Sequence, residues 1–157
     1  MIRRARIVAV GKLRGWAADG CDDYLGRLRR YFPVEVAEVP EEDMNRNPRG
    51  KVLDAEAVRL SKRIPDDAYL VALDRERGRT LSSEKLASRL SSLGTSGRSS
   101  VAFVLGGPLG LSDGVLTRAD ELISFGPVTL PHALARVVLL EQLYRAVKID
   151  RGEKYHW

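Results

Sequence analysis

The stretch that most limits how this chain can fold is Val101-Ala-Phe-Val-Leu105, followed at once by Gly106-Gly107-Pro108-Leu109-Gly110. A short unbroken apolar run bounded by glycines has the pattern of a strand buried on both faces of a parallel sheet. A glycine-rich turn straight after such a strand lets a ligand approach the backbone with no Cβ in the way. A second segment, Phe125-Gly126-Pro127-Val128-Thr129-Leu130-Pro131-His132, offers a short strand, a Gly-Pro bend and a helix start. Open α/β sheets bind nucleotide-like ligands on loops at the carboxyl ends of neighbouring strands. These two loops are close enough in sequence to line one pocket.

The rest of the chain alternates in the same way. Arg6–Val10, Val34–Val39 and Tyr69–Leu73 read as strands, the first closed by Gly11. Apolar residues at 17, 21, 24, 28 and 32 predict a helix over Trp16–Phe32, stopped by Pro33. A second helix is expected over Lys51–Ile64 before Pro65, and a third from a cap at Ser82 or Ser83 to Leu93, with Glu84 near its positive end. Residues 40–50 are polar and irregular. A short helix over Asp113–Asp120, a strand over Leu122–Phe125 and a helix over Ala133–Lys148 complete the series. The pattern predicts one domain over residues 1–157, a three-layer α/β fold with a largely parallel sheet. Val137, Val138, Leu139, Leu140, Leu143 and Tyr144 make the last helix apolar over much of its circumference. One stripe suffices for a core, so the excess predicts a subunit interface.

Charge narrows the partners. The 157 residues carry a net charge of +5, with a pI near 9.6, which favours a polyanion. The lone Cys21 excludes an internal disulfide, fits a reducing compartment, and falls in step with Tyr24, Leu28 and Phe32 as a buried thiol. Zinc sites of the usual kind need more Cys and His than the chain has, so no metal is expected. Met1–Val10 is basic without an apolar core long enough for a signal peptide, and no run has the length to span a membrane, so a cytoplasmic protein is expected.

Gly110-Leu111-Ser112-Asp113-Gly114 matches G-x-S-x-G, with Asp120 and His132 following in hydrolase order. A nucleophile elbow places its Ser in the turn directly after a strand. Here the strand ends near Leu105 and Pro108 intervenes, so Ser112 reads as a helix N-cap.

Leu105-Gly-Gly-Pro-x-Gly-Leu-Ser112, then Leu130-Pro-His-x-Leu-x-Arg136 and Tyr155-His156, resemble the RlmH family, SPOUT-class methyltransferases of 23S rRNA pseudouridine. Val8–Lys12 and Leu73-Asp74-x-x-x-x-Gly78 extend the match over the whole chain. The resemblance implies an α/β knot fold with a C-terminal trefoil knot. It implies a homodimer that transfers methyl from S-adenosylmethionine to N3 of a pseudouridine in helix 69 of the assembled ribosome. It places cofactor binding at Leu73, Gly106, Phe125, Gly126, Pro127, Val128, Thr129 and Leu130. The alternative is a non-catalytic RNA- or ribosome-binding module of the same fold.

Several side chains keep two readings each. His132 is a base or a first-turn helix residue, and His156 is a second proton-acceptor candidate. Arg136 is a solvated helical arginine, or an electrostatic helper holding a phosphate or uracil carbonyl. Tyr155, His156 and Trp157 are a frayed end or an RNA-stacking surface; where the family pattern has a basic residue after Tyr-His, this sequence has Trp157. The arginine clusters at 27–30 and 75–79 are solvated faces or phosphate contacts.

Overall fold

The structure, a computed structural model, describes residues 1–155. Six strands form one sheet: β1 (Arg4–Val10), β2 (Val34–Val39), β3 (Tyr69–Leu73), β4 (Arg79–Thr80), β5 (Ser100–Leu105) and β6 (Glu121–Ser124). Their order across the sheet is β2-β1-β5-β3-β6-β4, and every neighbouring pair is parallel. Five helices connect them: α1 (Gly15–Leu28), α2 (Arg49–Ser61), α3 (Ser83–Thr95), α4 (Asp113–Arg118) and α5 (His132–Asp150).

The apolar runs explain the layering. In β5, Val101, Phe103 and Leu105 enter one core, while Ala102 and Val104 enter the other. In β1, Ala5, Ile7 and Ala9 side with the first core, and Val8 and Val10 with the second. Both faces therefore need covering, as in any all-parallel sheet. Helices α1, α3 and α5 cover one face and α2 and α4 the other. The expected three-layer α/β architecture is observed. No helix among the described residues is long and apolar enough to cross a membrane.

Local chemistry sets the helix ends. Ser82 Oγ accepts from Lys85 N (3.3 Å) to start α3, and Ser112 Oγ accepts from Val115 N (3.3 Å) to start α4. The Asp120 carboxylate accepts from Leu70 N (2.8 Å), so the apparent hydrolase series resolves into a cap and a strand tether. Helix α1 ends at Leu28, short of the expected Phe32, and the chain reaches Pro33 through turns onto the Leu28 carbonyl. Helix α2 likewise runs two residues earlier at its start and ends at Ser61. The edge strand β4 has no counterpart in the sequence reading, because two exposed polar residues carry no strand pattern.

The apolar girth of α5 has an explanation within one chain. The helix lies on the sheet with α1 and α3 packed against it, so three sides are covered. Leu139, Leu140, Leu143 and Ala146 are fully buried there. This position accounts for part of the apolar girth, while Val137, Val138 and Tyr144 stay half-buried.

Candidate cofactor site

A cavity of about 1090 Å³ opens at the carboxyl ends of β3, β5 and β6. Three loops form most of it: 73–77 after β3, 105–114 after β5, and 123–132 between β6 and α5. The start of α2 supplies the remaining wall. Leu73, Gly106, Phe125, Gly126, Val128, Thr129 and Leu130 all line it. Pro127 is not among the lining residues; its carbonyl accepts from Arg75 Nη1 at 3.3 Å.

These loops are tied to one another. The hydroxyl of Ser124, itself buried, reaches the carbonyl of Arg75 (3.1 Å) and that of Gly126 (3.2 Å), and accepts from Gly126 N (3.1 Å). The Asp74 carboxylate accepts from the amides of Glu76 (2.9 Å) and Arg77 (2.8 Å), turning the chain sharply after β3. Arg77 then pairs with Asp113 of α4 at 2.9 Å, and Arg49 of α2 donates to the Leu109 carbonyl at 3.2 Å. A scaffold of this kind holds backbone N–H and C=O groups in fixed directions around a ligand.

The glycine turn is tighter than the sequence suggests. Gly110 N donates to the Gly107 carbonyl (3.0 Å), folding the turn back on itself. A Cβ on Gly106 would stand 2.2 Å from the Gly110 carbonyl oxygen. Gly106 is thus required first by the turn's own backbone, and not by the ligand space that the sequence reading assigns to it.

His132 opens α5 and lines the cavity. Its Nε2 lies 3.6 Å from Glu41 Oε1, which reaches over from the loop after β2. That is ion-pair range for an imidazolium, but too long for a hydrogen bond. A pair so placed can receive a proton inside the cavity and share the resulting charge.

Arg136 departs from both of its sequence readings. It is 2% exposed and does not line the cavity. Its Nη1 pairs with Glu38 Oε2 (2.5 Å), and Nη2 donates to the carbonyls of Gly11 (2.9 Å) and Val10 (3.3 Å). The same Glu38 oxygen accepts from Leu13 N (2.9 Å). The guanidinium thus clamps the turn between β1 and α1, and its Nε is buried without a partner among the described residues.

Tyr155 packs back against α5. The Tyr155 ring meets Tyr144 edge-on at 4.8 Å, with the Arg145 guanidinium over its face at 4.8 Å. Its hydroxyl donates to Glu141 (3.2 Å) and lies 3.5 Å from that of Tyr24. Burial, then these partners, push its phenol above the ordinary tyrosine range. Tyr155 is therefore a packed residue with one ring face taken by Arg145, away from the cavity lining. His156 and Trp157 lie outside the described residues. Cys21 is buried, as expected, and burial raises its thiol. Among the described residues no three His, Cys, Asp or Glu side chains cluster to hold a metal.

Sequence reasoning missed the loop tethers. Arg49, Asp74 and Ser124 are ordinary polar residues in sequence, and only the juxtaposition of three loops gives them a role. The basic cluster at 75–79 also divides: Arg75 and Arg77 rim the cavity, whereas Arg79 pairs with Glu121 at 2.7 Å.

Fold and site together define a class: an α/β domain with a cavity walled by backbone loops at the carboxyl edge of a parallel sheet, the edge at which open α/β sheets bind nucleotide-like ligands. A family model described as "Predicted SPOUT methyltransferase" matches residues 3–156. The chain belongs to the SPOUT methyltransferase family. It is 71% identical to the ribosomal RNA large subunit methyltransferase H of Rubrobacter xylanophilus, over all of both chains. It is 48% identical to the protein of that name from Listeria welshimeri, covering 96% of this chain and 98% of the other. Among solved structures, a probable methylase family protein from Haemophilus influenzae superimposes with a TM-score of 0.58 at 17% identity, over 100% of this chain and 72% of that one. A putative methyltransferase from Legionella pneumophila, in complex with bound SAM, gives 0.52 at 11% identity, over 92% and 66%. At these identities the two structures speak to fold alone.

Proposed function

We propose that this protein methylates large-subunit ribosomal RNA, moving the sulfonium methyl of S-adenosylmethionine to N3 of a pseudouridine in helix 69 of 23S rRNA. The observation that carries the proposal is a cavity walled by backbone at Gly106–Gly110 and 125–130, in a chain whose whole length matches rRNA methyltransferases. The residues fit the cofactor. Leu73, Phe125 and Leu130 offer apolar surface to a base, and the loop amides and carbonyls can read its edges. When bound, S-adenosylmethionine supplies an electrophilic methyl carbon with a neutral thioether as its leaving group.

The chain's part is positioning and proton removal. The tethered loops fix the direction of attack, which is where much of the rate of a methyl transfer arises. N3 lies between two carbonyls and must shed its proton as the N–C bond forms. In this reading His132 takes it, with Glu41, 3.6 Å away, stabilising the imidazolium. His156 is the other candidate for this role. Arg136 acts at a distance, by holding the β1–α1 turn. The rim arginines Arg75 and Arg77 and the net charge of +5 suit a phosphate-rich partner.

The working form we propose is a cytoplasmic homodimer with a C-terminal trefoil knot, acting on 23S rRNA in the assembled ribosome, with tail residues contributing to RNA binding. Calorimetry with S-adenosylmethionine tests the cofactor half of the reading. Saturable binding in the micromolar range supports it, and no heat at millimolar cofactor refutes it. A non-catalytic RNA-binding module of the same fold predicts the second result.

A further inference from the structure

The cofactor cavity rests on a carboxyl group that the reaction does not use. Glu56 of α2 is 3% exposed, and its Oε2 is buried with no hydrogen-bond partner among the described residues. It lies directly beneath the glycine turn: a Cβ built on Gly107 would stand 3.3 Å from Glu56 Oε2 and 3.0 Å from Val10 Cγ1. The charged groups facing it are Glu41, Glu42 and Arg59. Arg59 is already turned away, pairing with Glu42 and donating to the Pro40 carbonyl at 3.0 Å. Two carboxylates and a committed arginine leave an ionised Glu56 without compensation, and a buried charge without a partner is strongly disfavoured. Burial, followed by the charge of Glu41, raises its carboxyl above the ordinary range. Protonated, it carries no charge that needs compensation.

We propose that Glu56 is a positioning residue for the cofactor site: while it carries a proton it supports the Gly106–Gly110 turn in its receiving shape, and when it ionises the turn is displaced. An anion at Oε2 needs a donor or water, and the nearest movable backbone is the turn above it. Moving Gly107 also moves Gly106 and Gly110, because the Gly110 N–H···O=C Gly107 bond ties them together. The inference rests on the reading of this cavity as the S-adenosylmethionine site. It adds that occupancy falls as pH rises through the raised value of one buried acid.

The sign follows from linkage. An acid raised in the folded state favours folding below its unfolded value, and that contribution is lost as pH climbs through the folded value. Glu56→Gln keeps the shape, stays uncharged at all pH, and should remove the dependence. The test uses the full ¹⁵N-labelled chain, following the amide signals of Gly106, Gly107 and Gly110 from pH ~5 to ~9, a span that covers documented buried glutamates. S-adenosylmethionine affinity is measured by calorimetry over the same range for wild type and Glu56→Gln. The cofactor's own amine titrates identically in both, so only the difference is read.

In the wild type the three glycine signals shift with a common midpoint above the usual glutamate value of ~4.3. Affinity should fall along with them, leaving Glu56→Gln at least about tenfold tighter at the alkaline end, the scale of one pK unit of coupling. Glycine signals flat with pH in the wild type overturn the proposal, and need no variant to fold. So do parallel affinity curves for the two proteins. Glycines that titrate in the wild type, without cofactor binding at any pH, would leave the acid-supported turn standing and refute the methyltransferase reading instead.

Discussion

Replacing Arg136 by Met removes the clamp on the β1–α1 turn and leaves three acceptors without their donor. Glu38 is 32% exposed and keeps its bond from Leu13 N, so water can solvate much of its charge. Its loss is therefore well below the 3–5 kcal/mol typical of a severed, fully buried pair, and we take about 1 kcal/mol. The Gly11 and Val10 carbonyls lose a charged donor in a buried setting, at about 1 kcal/mol each. Met fills most of the vacated volume, so the total is about 3 kcal/mol. At about 2–4 °C per kcal/mol for a chain of this size, the melting temperature drops by roughly 6–12 °C. Urea unfolding followed by circular dichroism measures the loss, and Glu38→Gln with the double variant isolates the pair. Arg136→Met losing less than about 1 kcal/mol, with cofactor or RNA binding abolished, would refute the clamp and restore Arg136 as a ligand contact.

Four further outcomes follow. Gly106→Val, whose Cβ would overlap the Gly110 backbone, should lower S-adenosylmethionine affinity in calorimetry and cost about 1–3 kcal/mol in urea melts; lost affinity at full stability would put the clash in ligand space instead. Leu140→Ala should lose about 2–5 kcal/mol as a core truncation in urea unfolding, whatever the protein concentration. Ser112→Ala should cost about 1 kcal/mol as a lost helix cap yet leave methyl transfer near the wild-type rate. For Glu121, burial opposes ionisation, but the bonds from Arg89 and Arg79 outweigh it and lower its carboxyl. Its stabilisation is therefore present above about pH 4.3 and lost as pH falls through the lowered value, and Glu121→Gln should flatten that acid limb of a melting series.

The parallel sheet was legible because its central strands are unbroken apolar runs, and a strand buried on both faces needs no subtler signal. The caps at Ser82 and Ser112 were legible because capping chemistry is local. The loops lining the cavity were found through glycines and the family resemblance, since Gly106 and 125–130 have no side-chain signature of their own. What the sequence could not show was how side chains far apart along it pair and pack. The apolar circumference of α5 gives no hint that α1 and α3 cover part of it. Arg136 reads as solvated or ligand-facing until Glu38, ninety-eight residues away, reaches its guanidinium. Glu56 sits in a helical stretch with nothing local to mark it, and only the glycine turn above gives it significance.

The most direct test of the central claim is methyl transfer to purified ribosomes lacking the modification. The protein is incubated with labelled S-adenosylmethionine, and the 23S rRNA is digested and mapped by mass spectrometry. One labelled methyl per ribosome is expected, on N3 of a pseudouridine in helix 69, with naked 23S rRNA a far poorer substrate. Binding of the cofactor with no label on any 23S nucleotide, or label on a different base, would contradict it.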